Sequence, residues 1–296
     1  MPSDDYEGAS TLARSAPAKI NLGLHVLRRR PDDGDHDIET VLLRIGWADR
    51  LTARPARDFA FTCSDPSLPT GAENLCVEAA QRLAEAFDVE RGAALHLQKR
   101  VPYGAGLGGG SSDAAATLRL LAELWDLDAR PERLRALAAE IGADVPFFLQ
   151  DAPAALATGR GTHLQPLRTA ETGAPYRLPF ALVVVAPEAS VSTAEAYRRV
   201  EPRETSRPDL AALVRSNDLA RWRAELTNDF APVAFEAHPE IETARDLLDD
   251  AGAGYASLTG SGSAVFGVFE DASAAEAAAE AARQSGHRVH REPPAG

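Results

Sequence analysis

The sequence predicts an α+β protein of two domains. Its 296 residues exceed the common single-domain size. Its first third is rich in strand patterns, whereas helical runs dominate later segments. After Asp151 the texture changes to glycine and proline punctuation (DAPAALATGRGTHLQPL), which places a boundary near residues 155–160 and gives domains of 12–157 and 158–291.

The termini, MPSDDYEGASTL and EPPAG, have the small, polar or proline-containing composition of ends that do not pack. Lys19 to Arg28 (KINLGLHVLR) reads as a strand, followed by a loop over Arg29 to Asp35. Two strands follow, Ile38 to Trp47 and Leu51 to Thr62, with a turn at Ala48 to Arg50. A helix from Asn74 to Phe87 opens on an N-cap residue. Ala94 to Lys99 alternates as a half-buried strand and runs into a glycine-rich segment. Ser111, Ser112 and Asp113 are helix-start residues for a run over Ala114 to Trp125. A helix over Pro131 to Ile141 stops at Gly142, so Asp144 sits at a helix-to-loop junction.

In the second half, FALVVVA at Phe180 to Ala186 is a buried strand. Helices are expected at Thr193 to Val200, Leu210 to Arg215, Leu219 to Leu226 and Pro239 to Ala251. Strand, glycine turn, strand then reads from GYASLTGSGSAVFGVFE, and a helix over Ala272 to Gln284 precedes a strand at His287 to His290.

A hydrophobic fraction of 45% describes a folded globular chain, and a net charge of −13 argues against nucleic-acid partners, which need a basic surface. Lysine occurs only at Lys19 and Lys99, so nearly all positive charge is arginine; a GC-rich genome and a salty cytoplasm both fit this. There is no apolar window of about 18 residues and no basic segment followed by an apolar run at the N-terminus, so no membrane association and a cytoplasmic location are expected. Cys63 and Cys76, the only cysteines, match no zinc or disulfide pattern and read as buried free thiols. His25, His96 and the other histidines have no metal-like neighbours, and Ser261 lacks a nucleophile-elbow frame. No residue is assigned as a metal ligand.

The segment Pro102, Tyr103, Gly104, Ala105, Gly106, Leu107, Gly108, Gly109, Gly110, Ser111, Ser112 carries the chemistry. Glycines free to take positive φ bring amides close to an anion, and the following helix adds unpaired N–H groups and its dipole. A di- or triphosphate is the expected ligand, although no Gly-Lys-Ser/Thr of the Walker pattern is present. Phosphoryl transfer also needs a group that orients the acceptor hydroxyl and a charge that neutralises phosphate. Asp144, between Gly142 and the apolar VPFFL, fits the first role, and Lys19, in an uncharged stretch, fits the second; a salt bridge would satisfy both. A solvated strand-end lysine and a loop-capping aspartate are the plainer alternatives. The second glycine cluster, Thr259 to Ser263, is equally well a hairpin turn.

Three blocks together resemble the GHMP kinase superfamily: PAKINLGLHV at Pro17 to Val26, PYGAGLGGGSSDAA at Pro102 to Ala115, and LTGSGSAVFGVF at Leu258 to Phe269. The loop RRPDDGDHDIET, the block IGADVPFFL, the segment ATGRGTHLQPL and the NDF at Asn228 to Phe230 are similar to a branch acting on a cytidylated polyol. The resemblance implies a ribosomal-protein-S5-domain-2-like ATP domain and a ferredoxin-like C-terminal domain with the active site in the cleft between them. It implies ATP as co-substrate with Mg2+, and transfer to a tertiary 2-hydroxyl. Lys19 and Asp144 fall on catalytic positions and Pro102 to Ser112 on the ATP phosphate loop. His36 matches a histidine that hydrogen-bonds cytosine, Asn21 lies beside the acceptor hydroxyl, and Tyr197 falls near an aromatic that stacks on the base. Asp35 stands where the family usually has tyrosine, so a stacking ring is missing. Other GHMP kinases of homoserine or mevalonate type, a superfamily decarboxylase, and a non-catalytic nucleotide-binding protein are the competing readings. A monomer and a homodimer both fit.

Overall fold

The computed structural model describes residues 10–205 and 207–295. The chain divides into two compact units: one of residues 1–18, 47–101 and 108–151, the other of 19–46, 102–107 and 152–296. Two long strands, β1 (Leu12–Arg29) and β2 (His36–Ala56), pair with each other and run through both units.

In the first unit, residues 50–56 of β2 pair antiparallel with β4 (Gly92–Gln98), which pairs parallel with β3 (Ala60–Cys63). Four helices complete it: α1 (Leu75–Ala86), α2 (Gly109–Leu124), α3 (Pro131–Ile141) and the single turn α4 (Val145–Phe148). Asn74 caps α1 by accepting the Cys76 N–H at 3.0 Å, and the buried Val77, Ala80 and Leu83 form the inward face expected at a period of 3.6.

The turn expected at Ala48 to Arg50 does not form, and β2 continues through it. Burial alternates strictly from Leu43 to Ala53, and Asp49 occupies an inward position, 1% exposed. A carboxylate there looks like a turn residue in sequence but is held in the strand by Lys99 at 2.5 Å and by the N–H groups of Arg100 and Val101.

In the second unit, residues 38–43 of β2 pair with β5 (Ala154–Gly159), and β5 pairs with β6 (His163–Pro166). These two strands lie where the sequence shows only punctuation, because the alanines and glycine of β5 and the short, proline-ended HLQP of β6 carry no strand signature. A second, antiparallel sheet has the order β10-β7-β9-β8, with β7 at Ala181–Ala186, β8 at Tyr255–Leu258, β9 at Val265–Phe269 and β10 at Arg288–Glu292. β7 is buried at every position, as its unbroken apolar run dictates.

The helices of this unit are α5 (Thr193–Arg199), α6 (Leu210–Arg215), α7 (Leu219–Glu225), α8 (Ala231–Ala237), α9 (Pro239–Asp250) and α10 (Ala272–Gln284). In α10 the buried Ala275, Ala278, Ala279 and Ala282 make one close-packing stripe. The sequence misses α8, whose entry depends on Asn228 accepting the Phe230 N–H at 3.0 Å.

The expected loose ends overlap ordered strands by one residue each. Leu12 already belongs to β1, and Glu292 closes β10 and accepts the Gly46 N–H; residues 1–9 lie outside the described residues. Cys76 is buried, whereas Cys63 is only half-buried, because β3 sits at the end of its sheet; both are free thiols.

Candidate active site

Both lysine side chains of the chain are withdrawn from solvent: Lys19 is buried at 4% exposure, and Lys99 is half-buried as a residue with a side chain 5% exposed. All the remaining basic side chains except histidine are arginines. An ammonium taken out of water needs compensating acceptors, so these two mark built sites.

In the second unit, Lys19 Nζ donates to Asn21 Oδ1 at 2.8 Å and to the Gly106 carbonyl at 2.9 Å, while its backbone N–H donates to the Leu107 carbonyl at 2.9 Å. Adjacent β1 residues cannot both face this way, but Lys19 and Asn21 can, being two apart on one side of the strand. Asn21 is itself fully engaged. Its Oδ1 accepts the Gly260 N–H at 2.9 Å, its Nδ2 donates to Thr40 Oγ1 at 2.9 Å, and its N–H donates to Thr259 Oγ1 at 3.0 Å. Thr40 in turn donates to the Gly23 carbonyl at 2.6 Å.

The second glycine cluster, ambiguous in sequence, closes this arrangement. A Cβ on Gly106 (φ +76°) would lie 2.2 Å from the Thr259 carbonyl oxygen, and one on Gly260 would lie 3.0 Å from Gly106. The two glycine loops therefore meet backbone to backbone, which no other residue permits. Asn228 supports them by donating to the carbonyls of Leu258 and Gly260, both at 2.9 Å.

In the first unit, α2 begins at Gly109, two residues ahead of Ser111, and its N-cap is Gly108 in the left-handed region at φ +66°. Ser111, Ser112 and Asp113 are thus the third, fourth and fifth residues of the helix instead of its cap, because a glycine that adopts positive φ turns the chain earlier than a serine would. No side chain caps the helix, so its first N–H groups keep the capacity to bind an anion.

Lys99 Nζ bridges Asp49 at 2.5 Å and Asp113 at 2.9 Å, tying the end of β4 to α2. Burial, reinforced by the neighbouring Asp49 carboxylate and opposed by Lys99, pushes Asp113 up to about 7. The Ser112 hydroxyl is 1% exposed and makes no hydrogen bond. Asp144 is half-buried at the N-cap of α4, where its side chain makes no capping bond.

His36 opens β2, and its ring stacks on Tyr197 of α5 with centroids 5.1 Å apart and planes 27° from parallel. Phe230 packs against Tyr197 edge to face at 4.8 Å. Burial and then the Arg29 charge lower the His36 pKa, against the opposing Asp35, so its imidazole is neutral at neutral pH. Structure thus brings His36 and Tyr197 together, and Lys19 and Asn21 together. Thr40 and Asp49 go unread in the sequence, and Thr259, Asn228, Lys99 and Asp113 are named there without the buried contacts that they make. Only the rarity of lysine could have pointed to Lys99.

A run of glycines leading into an uncapped helix start, and a buried lysine held by a backbone carbonyl and a side-chain amide oxygen, accord with a small-molecule kinase of the GHMP class. The GHMP kinases N terminal domain matches residues 74–157 and the GHMP kinases C terminal domain residues 210–288, and the chain belongs to this family. It is 62% identical, over 94% of its length and 97% of the relative's, to 4-diphosphocytidyl-2-C-methyl-D-erythritol kinase of Salinibacter ruber. It is 43% identical to the kinase of the same name from Chloroherpeton thalassium, over 91% of this chain and 93% of the relative. A crystal structure of 4-(cytidine 5'-diphospho)-2C-methyl-D-erythritol kinase superposes with a TM-score of 0.79 at 37% identity, covering 96% of this chain and all of that one. Homoserine kinase from Cytophaga hutchinsonii, at 18% identity and a TM-score of 0.68 over 95% of each chain, shares the fold.

Proposed function

We infer that this chain is an ATP-dependent kinase that phosphorylates the 2-hydroxyl of 4-diphosphocytidyl-2-C-methyl-D-erythritol, a step of the non-mevalonate route to isoprenoid precursors. The observation that carries this reading is the 62% identity to a kinase of that name across nearly the whole of both chains. The homoserine and mevalonate kinases that share the fold are only 11–18% identical and support the fold alone.

The residue roles are proposed on the chemistry of their surroundings. Residues 102–112 bind the ATP phosphates through backbone N–H groups and the α2 N-terminus. Asp144 takes or orients the proton of the attacking hydroxyl, and Lys19 stabilises charge on the transferring phosphoryl group. Asn21 holds Lys19 in place and lies beside the acceptor. His36, neutral, reads the edge of the cytosine by hydrogen bonds, and Tyr197 fixes His36 by stacking on it.

Mg2+ is expected with ATP. Hard cations take oxygen ligands and are held largely by water and phosphate, and the unpartnered Ser112 hydroxyl in the first turn of α2 fits as a protein ligand. The ion would supply neutralisation of the phosphate oxygens.

The domains are taken as residues 12–157 and 158–291. With no described helix long and apolar enough to cross a membrane and a charge of −13, a cytoplasmic enzyme free of nucleic acid, monomeric or homodimeric, is the proposed setting.

Product analysis tests the reading. One ADP and one acceptor carrying an added phosphate on its tertiary carbon should appear per ATP consumed. Release of carbon dioxide from an acid substrate would establish a decarboxylase instead.

A further inference from the structure

The acidic loop before His36 is not merely solvated. Asp33 and Asp35 both pair with Arg160, the latter at 3.4 Å to Nε and the former at a terminal nitrogen. Arg160 projects from the tip of the β5–β6 turn, between Gly159 at φ +65° and Gly161 at φ +87°, where the Gly161 N–H closes on the Thr158 carbonyl at 3.1 Å. The turn sits directly at the start of β2, because Gly159 is the register partner of Ile38.

We propose that Arg160, its guanidinium pinned by Asp33 and Asp35 on the loop leading into His36, is the flat platform on which the nucleobase of the acceptor substrate stacks. This rests on the cytidylated substrate proposed above. A guanidinium has in-plane N–H donors and two bare faces. Here the carboxylates, Asp33 being shared with Arg30 at 3.4 Å, take donors along its edge and offset its charge, which makes it a poorer phosphate ligand and leaves its faces available. The side chain is 46% exposed, so an incoming ring can reach it. Ion pairs this exposed contribute little to folding stability, so stability alone gives no reason for two acids to converge on one arginine. Tyr197 cannot provide the whole platform, since His36 already covers one of its faces and Phe230 packs perpendicular to it. Guanidinium planes stack on bases as aromatic rings do. The Asp35–Arg160 pair thus fills the place of the missing ring.

The test compares wild type, Arg160→Ala, Arg160→Lys and the double variant Asp35→Tyr/Arg160→Ala. The readouts are KM for the cytidylated acceptor and for ATP, kcat, and calorimetric binding of cytidine diphosphate. Arg160→Ala should raise the acceptor KM and weaken cytidine diphosphate binding about tenfold, within the range for loss of one base stack, while the ATP KM and the melting temperature stay near wild type. Arg160→Lys, which keeps the charge and loses the plane, should resemble Arg160→Ala, and the double variant should recover most of the affinity. An unchanged acceptor KM in Arg160→Ala, or full recovery by lysine, overturns the platform while leaving the kinase assignment intact. Wild type that turns over only an uncytidylated alcohol overturns both.

Discussion

The Lys19 ammonium donates to Asn21 Oδ1 at 2.8 Å, and that same oxygen accepts the N–H of Gly260, 239 residues further along the chain. One buried amide therefore couples the orientation of the lysine to the closure of the second glycine loop. Asn21→Ala should lower kcat by about 10- to 100-fold, the cost of misplacing a catalytic group by about an ångström. It should also lower stability by about 1–3 kcal/mol, because the Gly260 N–H is left buried and unpaired. Steady-state kinetics together with urea unfolding checks both. Unchanged kcat would leave Asn21 a purely structural residue.

Asp144→Asn separates proton handling from nucleotide binding. A fall in kcat of at least about 100-fold is expected, with ATP affinity little changed. Single-turnover measurements beside equilibrium nucleotide binding provide the check, and near-normal turnover would remove Asp144 from the mechanism.

Gly106→Ala probes the meeting of the two glycine loops. The added methyl would lie 2.2 Å from a backbone carbonyl oxygen at a φ of +76°, so neither side-chain rearrangement nor relaxed backbone accommodates it. Loss of at least about 2 kcal/mol and a raised KM for ATP are expected. Gly104→Ala, with nothing within 4 Å of the new Cβ, serves as the comparison and should cost less.

His25 lies on β1, fully buried, and neither ring nitrogen makes a hydrogen bond. Burial first, then the Arg207 charge, lowers its pKa to about 4, partly opposed by Asp229. The unfolded chain therefore binds a proton near pH 6.5 that the folded chain refuses until about 4. Stability is present above 6.5 and is lost as pH falls through that window. His25→Leu should flatten the decline in melting temperature between pH 6.5 and 4. A decline as steep as in wild type would assign acid sensitivity to other groups.

Much of this was legible in the sequence where local chemistry decided it. The Asn74 cap, the α3 and α10 boundaries and the β7 run follow from capping, Gly and Pro signals and apolar periodicity. Residues whose role depends on distant partners were not legible. Asp49 looks like a turn residue until Lys99, 50 positions away, neutralises it, and Thr259 gains its function from Asn21 and Gly106. The first turn of α2 was misplaced for a related reason: helix-start propensity favours serine, but the left-handed Gly108 sets the actual start.

The central claim, a kinase specific for a cytidylated polyol, is tested most directly by a coupled ADP-release assay at several salt concentrations. The acceptors offered are 4-diphosphocytidyl-2-C-methyl-D-erythritol, homoserine and mevalonate. Turnover with the cytidylated acceptor alone is the predicted result. Turnover with homoserine or mevalonate alone, or with no acceptor at any salt concentration, would contradict it.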